Sequence, residues 1–158
     1  MVQPASLLFL LKDGQILLAM KKRGFGAGRY NGVGGKPEAG ETIEQTAVRE
    51  CQEEIGVTPR GLQHVASLTF NITYSDQHEV LKAEAFTARE WEGEPIETEE
   101  MAPQWFSLAE IPYEQMWADD KYWLPEVLNG NFVTAEFTFD EDDNVLDKTL
   151  EIHPLKSF

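Results

Sequence analysis

The chain has a single cysteine, no apolar run of membrane-spanning length, and less than half as many basic as acidic residues. Cys51, being alone, forms no intrachain disulfide and suits a reducing compartment. The apolar run Leu7–Leu11 falls far short of the roughly 20 residues of a spanning helix and lacks the basic flank of a signal peptide. Thirteen Lys and Arg against 28 Asp and Glu give a net charge of −15, which leaves no basic stripe for gripping a polynucleotide. The expectation is a cytoplasmic monomer with neither a membrane nor a nucleic acid polymer among its partners. Small anions remain compatible with this surface if they bring cations of their own, because a bound ion inverts the local charge logic. With 42% hydrophobic and 11% aromatic residues, four of them Trp, the 158 residues suffice for one core, and residues 1–158 read as a single domain.

The most informative stretch runs from Gly35 to Val57. A glycine-punctuated loop delivers Glu41 and then opens a helix, with Thr42 and Gln45 at capping-box spacing and Gly56 as the stop. At 3.6 residues per turn, Glu50, Glu53 and Glu54 share one arc. Ile43, Ala47, Val48, Cys51 and Ile55 fill the neighbouring arc, which must face the core, so Glu54 is the most inward carboxylate. Like charges at i,i+4 destabilise a helix, and two readings follow. Either the acidic face is simply solvated, or a hard divalent cation with oxygen ligands offsets the repulsion. The Gly34-Gly35 backbone can approach a ligand closely, and Arg49 can grip neighbouring carboxylates in bidentate fashion, both of which favour the second.

Gly35, Glu41, Arg49, Glu50, Glu53, Glu54 and Gly56 match every fixed position of G-x5-E-x7-R-E-U-x-E-E-x-G-U, where U is a bulky aliphatic residue. The stretch thereby resembles the signature of the Nudix hydrolases. Cys51 at the first U is the one departure, a small apolar residue that should pack without touching the chemistry. The resemblance implies diphosphate-linked substrates and a magnesium ion, with manganese as an alternative. Glu50, Glu53, Glu54 and Glu100 with the Gly34 carbonyl would hold that ion, and Glu41 and Arg49 would orient the shell. Glu53 or Glu100 is the implied general base.

Outside this stretch the residues read as alternating strands and short helices. Ser6–Leu11 and Ile16–Lys21 form a hairpin over Asp13-Gly14, and residues 62–74 and 79–87 form a second. Residues 88–103 read as an acidic, solvated linker, and Gln104–Phe106 as a short strand. Ser107 should cap a helical turn ended by Pro112, Tyr122–Leu128 should be a helix, and 132–139 with 145–152 a last hairpin. The class is α/β (or α+β) with a mixed sheet flanked by helices, and the resemblance implies the Nudix α/β/α sandwich.

The blocks Met20–Gly32, Glu99–Met101 with Trp105-Phe106, and Met116–Asp120 with Tyr122–Pro125 resemble the animal-type MutT homologues, the oxidised purine nucleoside triphosphatases. By position, Asn31, Trp117, Asp119 and Asp120 would hold the base, and Phe25, Phe70, Met101 and Phe139 would wall its pocket. Lys21 and Arg23 are candidates for the triphosphate. Ser6 stands where relatives carry a base-contacting Thr, and Leu81 replaces a pocket Met. Together with a small insertion near Asp76–His78, these departures bear on base preference. Independently of the resemblance, Trp-x-Asp-Asp also reads as a helix N-cap beside a core tryptophan. The implied activity is metal-dependent hydrolysis of oxidised purine nucleoside triphosphates, such as 8-oxo-dGTP and 2-hydroxy-dATP, to the monophosphate and pyrophosphate. Hydrolysis of another nucleoside diphosphate-linked substrate, or a non-catalytic nucleotide-binding module, are the alternatives.

Overall fold

Asp13 and Gly14 both take positive φ, 48° and 74°, as a two-residue hairpin turn requires, and join β1 (Val2–Lys12) to β2 (Gln15–Lys21). The computed structural model describes residues 2–24, 26–74 and 77–155. The two strands pair only at Leu11↔Ile16 and Lys12↔Gln15 and then part. Beyond that point β1 runs parallel to β6 (Gln77–Ala88), from Val2↔Val80 to Leu10↔Ala88. Its former partner β2 pairs instead with β3 (Tyr30–Asn31) and β8 (Met101–Ser107). The segment 32–35 enters the resulting opening, held by Val33 N to Leu8 O at 3.0 Å and Ser6 N to Gly35 O at 2.8 Å.

The eight-stranded sheet continues past β6 to β5 (Gln63–Tyr74), β9 (Asn131–Phe139) and the edge strand β10 (Val145–Pro154). Parallel pairing of β5 with β9 and of β1 with β6 makes it a mixed sheet. A separate two-stranded pair joins β4 (Thr58–Arg60) to β7 (Glu90–Glu92). The sheet is covered by one helix per face. On one face α1 (Ile43–Ile55) buries Ala47, Cys51 and Ile55 against Leu8, Leu10 and Phe86. On the other, α2 (Asp120–Leu128) buries Trp123, Leu124 and Val127 against Phe9, Leu68 and Phe137. The α/β/α sandwich expected from the sequence is present, and its two helices are those that carry the candidate site.

Local chemistry explains where α1 begins and ends. Thr42 Oγ1 accepts from Gln45 N at 3.1 Å while Gln45 Oε1 accepts from Thr42 N at 2.9 Å, and Gly56 closes the helix in the left-handed region at φ 73°. The buried arc holds Ala47, Cys51 and Ile55 as expected but leaves Ile43, at the helix start, only half-buried. Thr46 is fully buried and Val48 only half-buried, because Thr46 Oγ1 satisfies itself on Glu41 Oε1 (2.7 Å) and Thr42 O (3.0 Å).

Three further expectations are corrected. The stretch 88–103 is not simply a linker, since Glu90–Glu92 forms β7 and Met101 already belongs to β8. No helical turn follows Ser107; residues 108 and 109 form a turn, and the 3₁₀ turn Tyr113–Gln115 comes after Pro112, whose fixed φ suits a start better than a stop. The second helix begins two residues early, at Asp120. The turn expected over Ser75–His78 is shorter, since Gln77 and His78 already belong to β6, while Ser75 and Asp76 lie outside the described residues. Replacing Thr42 with Ala should lower the unfolding free energy by about 1 kcal/mol, seen as a reduced urea midpoint at unchanged slope.

Candidate active site

Arg49 organises the acidic face of α1. Its Nε and Nη2 donate to the two oxygens of Glu41 at 2.8 and 3.0 Å, and Nη1 donates to Glu50 at 2.6 Å and Glu53 at 3.2 Å. Nη2 also reaches the Lys36 carbonyl at 3.1 Å, so one guanidinium ties the glycine loop to the helix. Glu41 further accepts from Thr46 and from Glu38 N at 3.0 Å. Arg49 first, and these donors after it, hold the Glu41 carboxyl down at about 2. Glu41 is therefore a fixed anion that ties Arg49 to the loop and to the first turn of α1.

Glu54 has the opposite environment. It is buried, its Oε2 has no hydrogen-bond partner among the described residues, and Glu50 is its immediate neighbour. Burial first, then the Glu50 contact and charge, push its carboxyl up to about 8, against a smaller opposing effect of the Gly34 amide; the Glu100 charge adds to the rise. Glu50 fits there because Gly35 has no side chain: a Cβ would lie 2.6 Å from Glu50 Cδ. Glu100 lies on the segment before β8, exposed and paired with Arg23, and acts on Glu54 through its charge; in the same segment Thr98 Oγ1 donates to the Glu54 carbonyl at 2.9 Å and accepts from the Glu100 amide at 3.3 Å. Cys51 packs fully buried behind them, and burial pushes its thiol up to about 12, so it is inert as a nucleophile.

This donor set suits a hard divalent cation. A buried, unpartnered carboxylate oxygen with two further carboxylates bearing on it is costly without a positive charge, and all the donors are oxygens. Among the described residues no three acidic, His or Cys groups already converge as a ligand set, because Arg49 draws Glu50 and Glu53 toward itself. Ion binding would thus require these side chains to turn from Arg49.

A cavity of about 280 Å³ fills the opening between β1 and β2. Glu54, Gly34 and Gly35 line it on the α1 side, and Trp117, Asp119 and Asp120 line it on the α2 side. Asn31, Ser6, Lys21, Leu81, Met101, Phe70 and Phe139 are also on its wall. Phe70 and Phe139 touch with ring centroids 5.9 Å apart. Ser6 and Gly35 are clamped together, with Ser6 Oγ accepting from Gly35 N at 3.2 Å, and Asn31 Oδ1 accepts from Gly32 N at 2.9 Å. Arg23 is not on the cavity wall; it is exposed and pairs with Glu100 at 3.5 Å and Glu99 at 3.9 Å. Phe25 lies outside the described residues.

Capping does not account for the aspartate pair. Asp119, the N-cap residue of α2, makes no side-chain cap bond; its Oδ2 accepts from Trp123 Nε1 at 2.8 Å. Asp120 is the first helical residue, and its Oδ2 has no partner among the described residues. Both are buried. Burial lifts Asp119 to about 6, and burial plus the Asp119 charge lifts Asp120 well above the ordinary carboxyl range. Of the two, Asp119 gives up its proton more readily and Asp120 holds its proton longer.

Sequence reasoning assigned no role to Thr98, Trp123, Arg29 or Asp143. The Asp119–Trp123 pair was detectable, since i,i+4 residues meet on a helix. The other three act across contacts from distant segments and leave no local signal.

A helix with carboxylates at the edge of its buried stripe, beside a glycine loop and on an α/β/α sandwich, is the architecture of a Nudix domain. The NUDIX domain model matches residues 1–127, and the chain belongs to this family. It is 42% identical over 146 residues to an oxidized purine nucleoside triphosphate hydrolase of Danio rerio and 43% identical over 145 residues to that of Mus musculus, covering 92% of each chain in both cases. A MutT protein of Bacillus halodurans superposes with a TM-score of 0.84 at 28% identity, over 94% of this chain and 97% of that one. Nudix hydrolases are in general dependent on divalent metal. No described helix is long and apolar enough to cross a membrane.

The aspartate pair has a consequence for stability. An unfolded Asp ionises near 3.8, whereas folded Asp119 holds its proton to about 6 and Asp120 beyond the ordinary range. The folded state binds more protons in that window, so its contribution to stability is complete below 3.8 and is lost as pH rises through the folded values. Urea unfolding followed from pH 4 to pH 8 should show a decline that is shallower in Asp120→Asn.

Proposed function

We propose that this protein hydrolyses oxidised purine nucleoside triphosphates, of the 8-oxo-dGTP and 2-hydroxy-dATP type, to the monophosphate and pyrophosphate. One observation carries the reading: a single cavity has the buried Asp119–Asp120 pair and Trp117 on one wall and Glu54 on the other. A base can lie against the indole, where stacking contributes about 1–3 kcal/mol by analogy with nucleic-acid platforms. Two adjacent carboxyls of unequal acidity, Asp119 the readier acceptor and Asp120 the one that keeps its proton longer, suit the mixed N–H and carbonyl edge of an oxidised purine. The Danio rerio and Mus musculus relatives, both oxidized purine nucleoside triphosphate hydrolases, support the same substrate class.

Glu50, Glu53, Glu54 and Glu100, with the Gly34 carbonyl, would hold magnesium, or manganese in its place. Such an ion polarises phosphoryl oxygens and acidifies water. Glu41 and Arg49 keep the helix face and the glycine loop in register, and Lys21 on the cavity wall steadies the phosphates. Glu53, exposed at the open side of α1, takes a proton from the attacking water. Water oxygen bonds to phosphorus, the bridging oxygen of the α–β anhydride leaves with its electron pair, and the proton passes from Glu53 to solvent. The protein acts on free nucleotides in the cytoplasm as a monomer.

Glu53→Gln, which removes charge without volume, should reduce turnover at least a hundredfold at unchanged melting temperature, as expected of a general base. Near-normal turnover with magnesium would remove Glu53 from the mechanism. Asp119→Ala should raise KM for 8-oxo-dGTP far more than for dGTP, because a site built on polar pairing is penalised when a partner is lost. A pyrophosphate-release assay over 8-oxo-dGTP, 2-hydroxy-dATP, dGTP and ADP-ribose tests this, and equal losses on 8-oxo-dGTP and dGTP would overturn the base-reading role.

A further inference from the structure

Two segments from opposite sides of the cavity meet at its rim. One is the glycine loop 24–29 after β2, closed by Gly28 N to Lys21 O at 2.8 Å and Arg29 N to Gly26 O at 3.1 Å, with Gly26 and Gly28 at φ 86° and 88°. The other is the turn between β9 and β10, where Asp140 accepts from the amides of Asp142 (2.8 Å) and Asn144 (2.9 Å). That turn holds Asp143 at φ 63°, a left-handed conformation that is strained for a non-glycine residue. Asp143 thereby reaches Arg29, whose Nη2 donates to its Oδ2 at 3.3 Å. The Arg29 guanidinium also lies 4.1 Å from the ring centroid of Trp117. Beneath it Gly26 packs so closely on the indole that a Cβ there would lie 3.2 Å from Trp117 Cζ2. Arg29, Trp117 and Asp143 all line the cavity.

Taking the cavity as the purine site, we propose that Arg29 is a positioning residue for base recognition, acting through Trp117 and anchored by Asp143. A tryptophan side chain has two rotatable bonds, and a stacking platform is useful only if both are fixed before the base arrives. The planar guanidinium supplies this, because it can lie flat on an aromatic face while its edge donates to a carboxylate; a lysine ammonium cannot do both. The pairing with Asp143 keeps the cation from turning toward the substrate phosphates, so Arg29 serves the base end of the site rather than the reacting phosphorus. Its effect belongs on KM. The ion pair closes the ring from β2 through Trp117 to the β9–β10 turn, which makes the two charged residues one functional unit.

The test uses the full chain labelled with 5-fluorotryptophan, whose four resonances are assigned with Trp117→Phe, together with steady-state kinetics on 8-oxo-dGTP. Arg29→Ala should shift the Trp117 resonance and raise KM about tenfold while changing kcat less than twofold. Arg29→Lys should fall between wild type and Arg29→Ala, and Asp143→Asn should move both readouts in the same direction as Arg29→Ala. The double variant should be no worse than Arg29→Ala, since residues acting as a unit are not additive. An unmoved Trp117 resonance, a kcat loss equal to the KM change, or additive effects of the two substitutions would overturn the inference. Absence of wild-type turnover on 8-oxo-dGTP would overturn the substrate reading instead, leaving the Trp117 resonance and its non-additivity to decide the role of Arg29; should Arg29→Ala fail to fold, Arg29→Lys and Asp143→Asn carry both readouts.

Discussion

The site depends on one close approach. Segment 32–35 lies against β1 so tightly that a Cβ on Gly34 would fall 1.9 Å from the Ser6 carbonyl oxygen, and one on Gly35 would collide with the Glu50 carboxylate. Glycine at both positions is thus a packing requirement, independent of φ, which neither residue needs positive. This contact seats the loop in the gap left when β1 and β2 part. It brings Glu50 and Glu54 to the same gap and leaves the remaining space as the cavity.

Charge is then distributed by burial. Along the outer side of α1, Arg49 pairs with Glu41, Glu50 and Glu53 and offsets part of their charge, so a chain of net charge −15 can still hold a dense acidic helix. On the inner flank no cation among the described residues pairs with Glu54, and burial makes its carboxyl a weaker acid. The Asp119–Asp120 pair repeats this logic at the other wall with a different solution, in which a proton and the Trp123 indole replace a positive charge. Buried unpaired polar groups destabilise a fold, by about 1–3 kcal/mol each even when neutral. Their concentration at one cavity is the physical mark of a site rather than of a stabilising core.

Cation placement follows the same division. Lys22 pairs with Glu97 and Arg23 with Glu99 and Glu100, so two of the three consecutive basic residues are occupied on the acidic segment before β8. Lys21, whose side chain alternates to the other side of β2, is the one left on the cavity wall. Six glutamates between Glu90 and Glu100 read locally as a solvated stretch, yet Glu100 bears on Glu54 because β8 returns beside β2.

Local chemistry alone determined much of this protein. The capping box at Thr42, the left-handed stop at Gly56, the Asp13-Gly14 turn and the i, i+3, i+4 carboxylates are all short-range, and each was legible because neighbouring residues decide it. The same holds for the inward position of Glu54, which follows from helical period. Short-range signals misled where a longer contact prevailed: Thr46 took a core position because Glu41 could satisfy its hydroxyl, and Glu90–Glu92 became a strand because Thr58–Arg60 offered it a partner. Only the tertiary structure decided that Asp119 and Asp120 are both buried on the cavity wall, that Arg23 pairs with Glu99 and Glu100 off that wall, and that Arg29 meets Asp143 across 114 residues of chain. These depend on desolvation and on which segments the sheet brings together, and both quantities are properties of the packed molecule that no local window of residues contains.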